Sequence, residues 1–358
     1  MRHLIRLCID QGLSSLSLFI FSIVLARQFG STGFATYAIA LSSSLMVMAI
    51  FNSAYIEPTA FKASEGLSRR STAQHLLILA LSVSFICSFF IETTEIISVF
   101  IFIIGSSALY AVRRIKALSG EQNKLTLIST SSFALTVSSL GILSYKQAPL
   151  SIWLISYGCI GIIYLMYIPN IKYKKETKIS PDLNSLLIAI MFWICSNYFF
   201  YYLPAFSRAN ESGQLRMIYT LFMPILQAGT IAGSIYISKK EHRKIVLPTT
   251  LAMTLIYGLI LVIIGSETIQ KITNIPISRT ELIYATFLAA ANSSAGLFSI
   301  SMRMQGLIRP LLVSSVVSAI ALVALSFLAS NLNMVIILIT LSFMLSITLS
   351  KVIRHKQK

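Results

Sequence analysis

Acidic residues are scarce in this chain: only 12 of its 358 residues are Asp or Glu, and all charged residues together make up 11%. A water-soluble chain of this size carries roughly a quarter charged residues, so water is excluded as the solvent of most of its surface. Cysteine is nearly absent as well. Cys8, Cys87, Cys159 and Cys195 lie in or beside apolar stretches with neither metal-ligand spacing nor a disulfide framework, and they read as small apolar residues. His3, His75, His242 and His355 sit in tails or at the ends of apolar stretches. No His/Glu group with metal-ligand spacing accompanies them, and no phosphate-binding Gly-Lys loop is present. No polar stretch is long enough for a soluble catalytic domain. Enzyme chemistry is therefore disfavoured, and neither a metal nor another cofactor is expected, with proton or sodium coupling left open.

Hydrophobic residues, by contrast, make up 56% of the chain, and mean hydropathy is +0.79. They fall into twelve runs, at approximately 5–27, 34–56, 74–91, 96–112, 125–145, 150–169, 183–205, 215–237, 246–265, 282–300, 310–329 and 333–352. Each is close to the ~20 residues that cross ~30 Å of hydrocarbon as a helix. The alternating period of a transmembrane barrel is missing. The expected fold is an all-α polytopic membrane protein with about twelve transmembrane helices. Arg2 and Arg6 ahead of the first run could open a cleaved leader, but Asp10 and Gln11 interrupt that run and eleven more follow it. It is read as an uncleaved first span.

The net charge of +17 would suit nucleic acid only if it formed a patch on a soluble face. Instead the cations sit in short clusters between apolar runs, where anionic membrane lipids are the natural partner and nucleic acid is not. Of 29 Lys and Arg, 23 lie in the termini and the even-numbered loops, and only Arg27, Lys146, Arg208, Arg216, Lys271 and Arg279 lie in the odd ones. Positive-inside bias then puts both termini in the cytoplasm.

Six runs precede the basic stretch 170–182 and six follow it. A shift of 180 residues lays Ser31–Thr36 over Glu211–Arg216, each between the first and second run of its half. The expected organisation is an N-terminal lobe at 1–169, a cytoplasmic linker at 170–182 and a C-terminal lobe at 183–358. Parallel six-helix repeats of this kind suit an alternating-access transporter.

Polar residues inside apolar runs must be paired or face a cavity. Asp10, Ser14 and Ser17 follow i, i+4, i+7 spacing and form one polar face of the first run. Asp10 is either an interfacial carboxylate paired with Arg6 or a cavity-lining, ion-coupling group. Glu57-Pro58 ends the second run, as a helix stop or a gate contact. Arg27, Arg208 and Arg216 all flank a first-to-second-run loop, where guanidinium suits either bidentate phosphate binding or interfacial snorkelling. Asn197 opens an aromatic stretch, Tyr198–Tyr202, that serves as an interfacial belt or stacks on sugar. Pro224, Gln227 and Gly229–Gly233 combine a kink site with a close-packing face, and Ala289–Gly296 is another packing segment.

Asp10–Ser15, Leu25–Gly30, Gly33–Tyr37, Ile56-Glu57-Pro58, Gly213–Arg216 and Met223–Gln227 together resemble the Wzx-type O-antigen and polysaccharide flippases of the multidrug/oligosaccharidyl-lipid/polysaccharide (MOP) exporter superfamily. The resemblance implies two six-helix lobes in a bacterial inner (cytoplasmic) membrane. It also implies movement of an undecaprenyl-diphosphate-linked oligosaccharide, a lipopolysaccharide repeat unit for example, from the cytoplasmic to the periplasmic leaflet. Other polysaccharide-assembly membrane proteins are implied partners. Arg27, Arg216 and Asn197 would hold the sugar-diphosphate head, with Asp10 as a partner or coupling site and Arg208, Glu57 and Gln227 as further candidates. A drug/cation antiporter of the same superfamily, a polysaccharide polymerase and a non-transporting scaffold or assembly membrane protein are the alternatives. The polymerase is disfavoured because the longest outside loop, near Ser266–Glu281, is short.

Overall fold

The computed structural model describes residues 2–53, 69–118, 121–168, 183–238 and 243–356; the side chains of 2–8, 69–71, 117–118, 122, 227–238, 243–244 and 355–356 are outside the description. Glu57 and the basic stretch 170–182 are therefore outside the described residues. The described residues are almost entirely helical, without strands. They divide into two compact units, Met1–Ile190 and Met191–Lys358. Among the described residues eight helices are long and apolar enough to cross a membrane, or nine if one bent pair is counted as a single span.

In the first unit, α1 runs over Arg2–Phe51, followed by α2 (Arg69–Cys87), α3 (Ile96–Leu118), α4 (Gln122–Tyr145) and α5 (Leu150–Ile163). The apolar part of α1 is 43 residues long, about 64 Å if straight, or twice the hydrocarbon thickness. It is not straight. Ser22 and Tyr37 hydroxyls meet at 2.7 Å, where a straight helix would set them about 22 Å apart. Phe21 and Tyr37 both pack on Phe102 of α3. The chain therefore folds back on itself at Gly30, whose backbone (φ 63, ψ −170) is open essentially to glycine alone. The runs at 5–27 and 34–56 are thus two antiparallel arms of one continuous element.

The tightest crossing of this unit lies between α3 and α5. A Cβ on Gly105 would come within 1.9 Å of the Gly158 carbonyl oxygen, and one on Gly161 within 1.9 Å of the Gly105 carbonyl. Three glycines thus let two backbones touch, as close packing in lipid requires. Beside that crossing, Leu109, Val112, Ile128, Ile160, Tyr164 and Ile168 close an apolar core.

Helix α6 (Leu183–Asn197) begins in the first unit and ends in the second, which continues with α7 (Phe199–Ala205), α8 (Ala209–Ser238), α9 (Arg243–Ile264), α10 (Ser266–Thr273), α11 (Arg279–Met304), α12 (Ile308–Leu325) and α13 (Leu332–Lys356). Helices α6 and α7 form one apolar pair bent by 48°, with Asn197 at the break. The Asn197 amide donates to the Trp193 carbonyl and the Ser196 hydroxyl, competing with the backbone ladder there. The expected outside loop at Ser266–Glu281 instead contains α10. Gly265 and Asn274, both with positive φ, bound that helix, and a Ser278/Glu281 capping box starts α11. The Tyr257 hydroxyl donates to the Leu221 carbonyl and ties α9 to α8. Ser314 and Ser350 hydroxyls join α12 to α13 at 2.5 Å. At Gly296, in the expected 289–296 packing segment, a Cβ would meet nothing within 4 Å among the described residues. Gly229–Gly233 lies among the residues whose side chains are outside the description.

Both units carry apolar side chains outward and hydroxyls inward. Phe85, Phe89, Ile97, Ile263 and Phe327 are exposed, while Ser42, Ser43, Ser44, Ser314 and Ser318 are fully buried. This inverts the arrangement of a soluble core and matches a chain solvated by lipid.

Candidate functional sites

Two buried polar sites stand out, one in each unit. In the first, Asp10 on α1 is 1% exposed and lies against Arg113 on α3. The Arg113 guanidinium grips the carboxylate in a bidentate fork, Nε to Oδ1 at 3.0 Å and NH2 to Oδ2 at 2.8 Å, and also reaches the Asp10 carbonyl at 3.2 Å. Ser129 of α4 donates to Oδ1, and the remaining arm of Arg113 donates to Ser14. Three helices therefore meet at one charge-assisted network, in which fork geometry and added donors offset the desolvation of both ions. Among the described residues the partner of Asp10 is Arg113; Arg6 is one of the residues whose side chains are outside the description. Sequence spacing could not reveal this because the two residues are 103 positions apart. The polar face Asp10/Ser14 did carry the signal: both of its members bind the same guanidinium.

Next to this network, Lys116 (2% exposed) donates to Glu121 at 2.6 Å, and Lys124 reaches the other oxygen of the same carboxylate at 2.5 Å. Hydrogen bonds from Lys116 and then Lys124 hold the Glu121 carboxyl at about 2, well below its ordinary value. This pairing closes the short turn from α3 to α4 and keeps a buried ammonium neutralised.

The second site centres on Arg216, the seventh residue after the first of α8. It is 3% exposed, and its guanidinium lies 5.7 Å from the centre of the Phe200 ring of α7, within cation–π range. Phe200 in turn packs edge-on against Tyr219 at 5.6 Å. Ser212, Arg216 and Tyr219 follow i, i+4, i+7 spacing and so share one face of α8. Beside Tyr219, a narrow pocket between α8 and α11 is lined by Ile218, Phe222, Leu226, Ala285, Leu288, Ala289 and Asn292. Burial of a cation against aromatic faces in an apolar wall is an arrangement suited to an anionic guest.

The remaining sequence candidates are placed as follows. Arg27 is exposed near the Gly30 reversal. Arg208 is held in the α7–α8 turn by a bidentate grip on Glu211 at 2.7 and 2.5 Å and by a bond to the Ala329 carbonyl; hydrogen bonding to Glu211 raises its pKa further. Asn197 is buried and spends its amide on the α6–α7 break. Gln227 lies on α8 with its side chain outside the description. Arg216 and Asn197 thus belong to the second unit's polar region and Asp10 to the first unit's network, while Arg208 serves the turn. Sequence reasoning missed Arg113 and Ser129 as partners of Asp10, and Tyr219 and Asn292 as pocket residues. Only the burial demanded of a polar group inside an apolar run could have flagged them. No group of three or more His, Cys, Asp or Glu that could hold a metal occurs among the described residues.

No protein-family profile matches the chain, and no curated protein matches it in sequence. Solved structures do match it. The lipid II flippase MurJ in an inward closed conformation superposes with a TM-score of 0.62 at 13% identity, covering 96% of this chain and 86% of that one. An outward-facing multidrug resistance MATE transporter of the MOP superfamily gives 0.62 at 13%, covering 99% and 94%. A MOP superfamily transporter from Pyrococcus furiosus gives 0.59 at 11%, covering 98% and 95%. At such identities the likeness establishes the fold: a multi-pass membrane protein built as MOP superfamily transporters are.

Proposed function

We propose that the chain is a flippase that carries an undecaprenyl-diphosphate-linked oligosaccharide, such as an O-antigen repeat unit, across a bacterial inner membrane by alternating access. In this reading the reversed α1 contributes two spans, and α2, α8 and the bent α6–α7 pair bring the total to twelve, with both termini cytoplasmic. The diphosphate-sugar head takes a polar route while the polyprenyl tail stays in lipid. The observation that carries the reading is the sign of the charge buried in the second unit, that of Arg216. Asp10 is held by the bidentate fork of Arg113 and by the Ser129 hydroxyl, so a cationic guest at that carboxylate would first have to displace a bidentate guanidinium. Arg216, buried against Phe200 and near Tyr219, favours an anion. A cation-coupled drug antiporter shares this fold and needs the opposite polarity. Arg216 serves as the phosphate anchor, with Arg27 as an exposed contact on the outer side and Asn197 setting the α6–α7 bend.

Deletion of the gene tests the proposal. Lipid-linked oligosaccharide should accumulate in the cytoplasmic leaflet and surface polysaccharide should disappear. Loss of proton- or sodium-driven drug efflux with surface polysaccharide intact would select the antiporter instead.

A further inference from the structure

Along the face that carries Arg216, the second unit holds buried hydroxyls that make no hydrogen bond among the described residues. The Ser212 and Tyr219 hydroxyls are both inaccessible to solvent and make no hydrogen bond among the described residues. A hydroxyl left unpaired in a buried site is costly, and in a native protein it points to a missing water or ligand. Tyr219 is also the residue that joins Arg216 to the pocket between α8 and α11. That pocket is apolar except for the Tyr219 phenol and the Asn292 amide. Its free space is about that of one water molecule, which excludes a whole sugar ring but accommodates one hydroxyl or hydroxymethyl arm.

We infer that Tyr219 and Asn292 form a hydroxyl-recognition subsite for the sugar attached to the diphosphate, with Arg216 holding the phosphate alongside it. The inference rests on the flippase reading and deepens it: Arg216 supplies affinity for any polyprenyl diphosphate, and Tyr219 with Asn292 selects those that carry a glycosyl group. The phenol can donate to a sugar oxygen, and the amide can both donate and accept. An incoming sugar hydroxyl would take the place of a single water without loss of hydrogen bonds. A substrate that lacks it would leave the pocket groups unpaired, which is how sites built for hydroxyls reject analogues without them.

The test uses the full-length protein in lipid nanodiscs with two probes, undecaprenyl diphosphate and undecaprenyl-diphosphate N-acetylhexosamine. Tyr219→Phe and Asn292→Leu should each weaken the glycosylated probe about three- to tenfold, the value of one hydrogen bond, and leave the bare diphosphate unchanged. Arg216→Gln should weaken both alike. Tyr219→Phe removes an oxygen that makes no hydrogen bond among the described residues, so the melting temperature should hold or rise. Equal effects on both probes, or none on either, would overturn the subsite while leaving the flippase reading in place. A fall in melting temperature with unchanged affinities would identify the pocket as a structural water site and overturn it as well. Failure of the unaltered protein to bind either probe would overturn both the flippase reading and the subsite.

Discussion

The two units bury charge in opposite ways. In the first, Asp10, Arg113, Ser14 and Ser129 satisfy one another across α1, α3 and α4, and the Lys116–Glu121–Lys124 group repeats that closure at the α3–α4 turn. In the second, a cation rests on an aromatic ring, and hydroxyls on its helix face make no hydrogen bond among the described residues. A polar network in lipid that is closed on itself welds helices together, because opening it would expose ions to hydrocarbon. A polar face with spare donors gains from a guest. The difference assigns mechanical cohesion to the first site and recognition to the second, although the sequence presents Asp10 and Arg216 alike as charged residues near apolar runs.

The most severe way to break this contrast is to open the first network. Asp10→Ala leaves the Arg113 guanidinium buried without its carboxylate, and should cost about 3–5 kcal/mol, read as a large drop in melting temperature of the purified protein. Asp10→Ala with Arg113→Met should recover much of that loss. Were Asp10→Ala to melt normally yet stop transport, Asp10 would be a coupling group rather than a weld. Next in size comes the glycine crossing. Gly105→Ala places a methyl on the Gly158 carbonyl and should destabilise by about 3 kcal/mol, while Gly296→Ala in the second unit should stay within about 0.5 kcal/mol. Gly30→Ala forces a side chain into a region essentially reserved for glycine and should cost about 1–3 kcal/mol.

The smallest effect is one of pH. Glu121 has its carboxyl lowered to about 2 from 4.5, so its contribution is complete above about pH 4.5 and fades as the pH falls towards 2. Being partly exposed, the group should contribute at most about 1 kcal/mol. Glu121→Gln should remove that acid-dependent component from melting curves recorded across this range.

The helices were legible because lipid imposes a length on each apolar run, and every one of the twelve runs falls on a helix or a bent helix pair of the described residues, in whole or in part. The reversal at Gly30 was foreshadowed by the gap between the first two runs, but its backbone geometry was not, since apolar pattern carries no dihedral angle. Arg216 could be picked out from its place in the shifted repeat. Arg113 could not, because its cluster of Arg and Lys at a run end has the look of ordinary topology-setting cations, and only three-dimensional pairing separates it from them. The same limit hid the Gly105–Gly158–Gly161 crossing. Small residues are common throughout this chain, and contact across about fifty positions decides which of them allow backbones to touch.

Flipping of a lipid-linked oligosaccharide by Arg216→Gln, measured as its appearance in the outer leaflet of proteoliposomes beside the unaltered protein, tests the central claim most directly. Loss of at least tenfold in rate with an unchanged melting temperature is the predicted result. A rate equal to that of the unaltered protein would contradict the assignment of substrate recognition to the second unit.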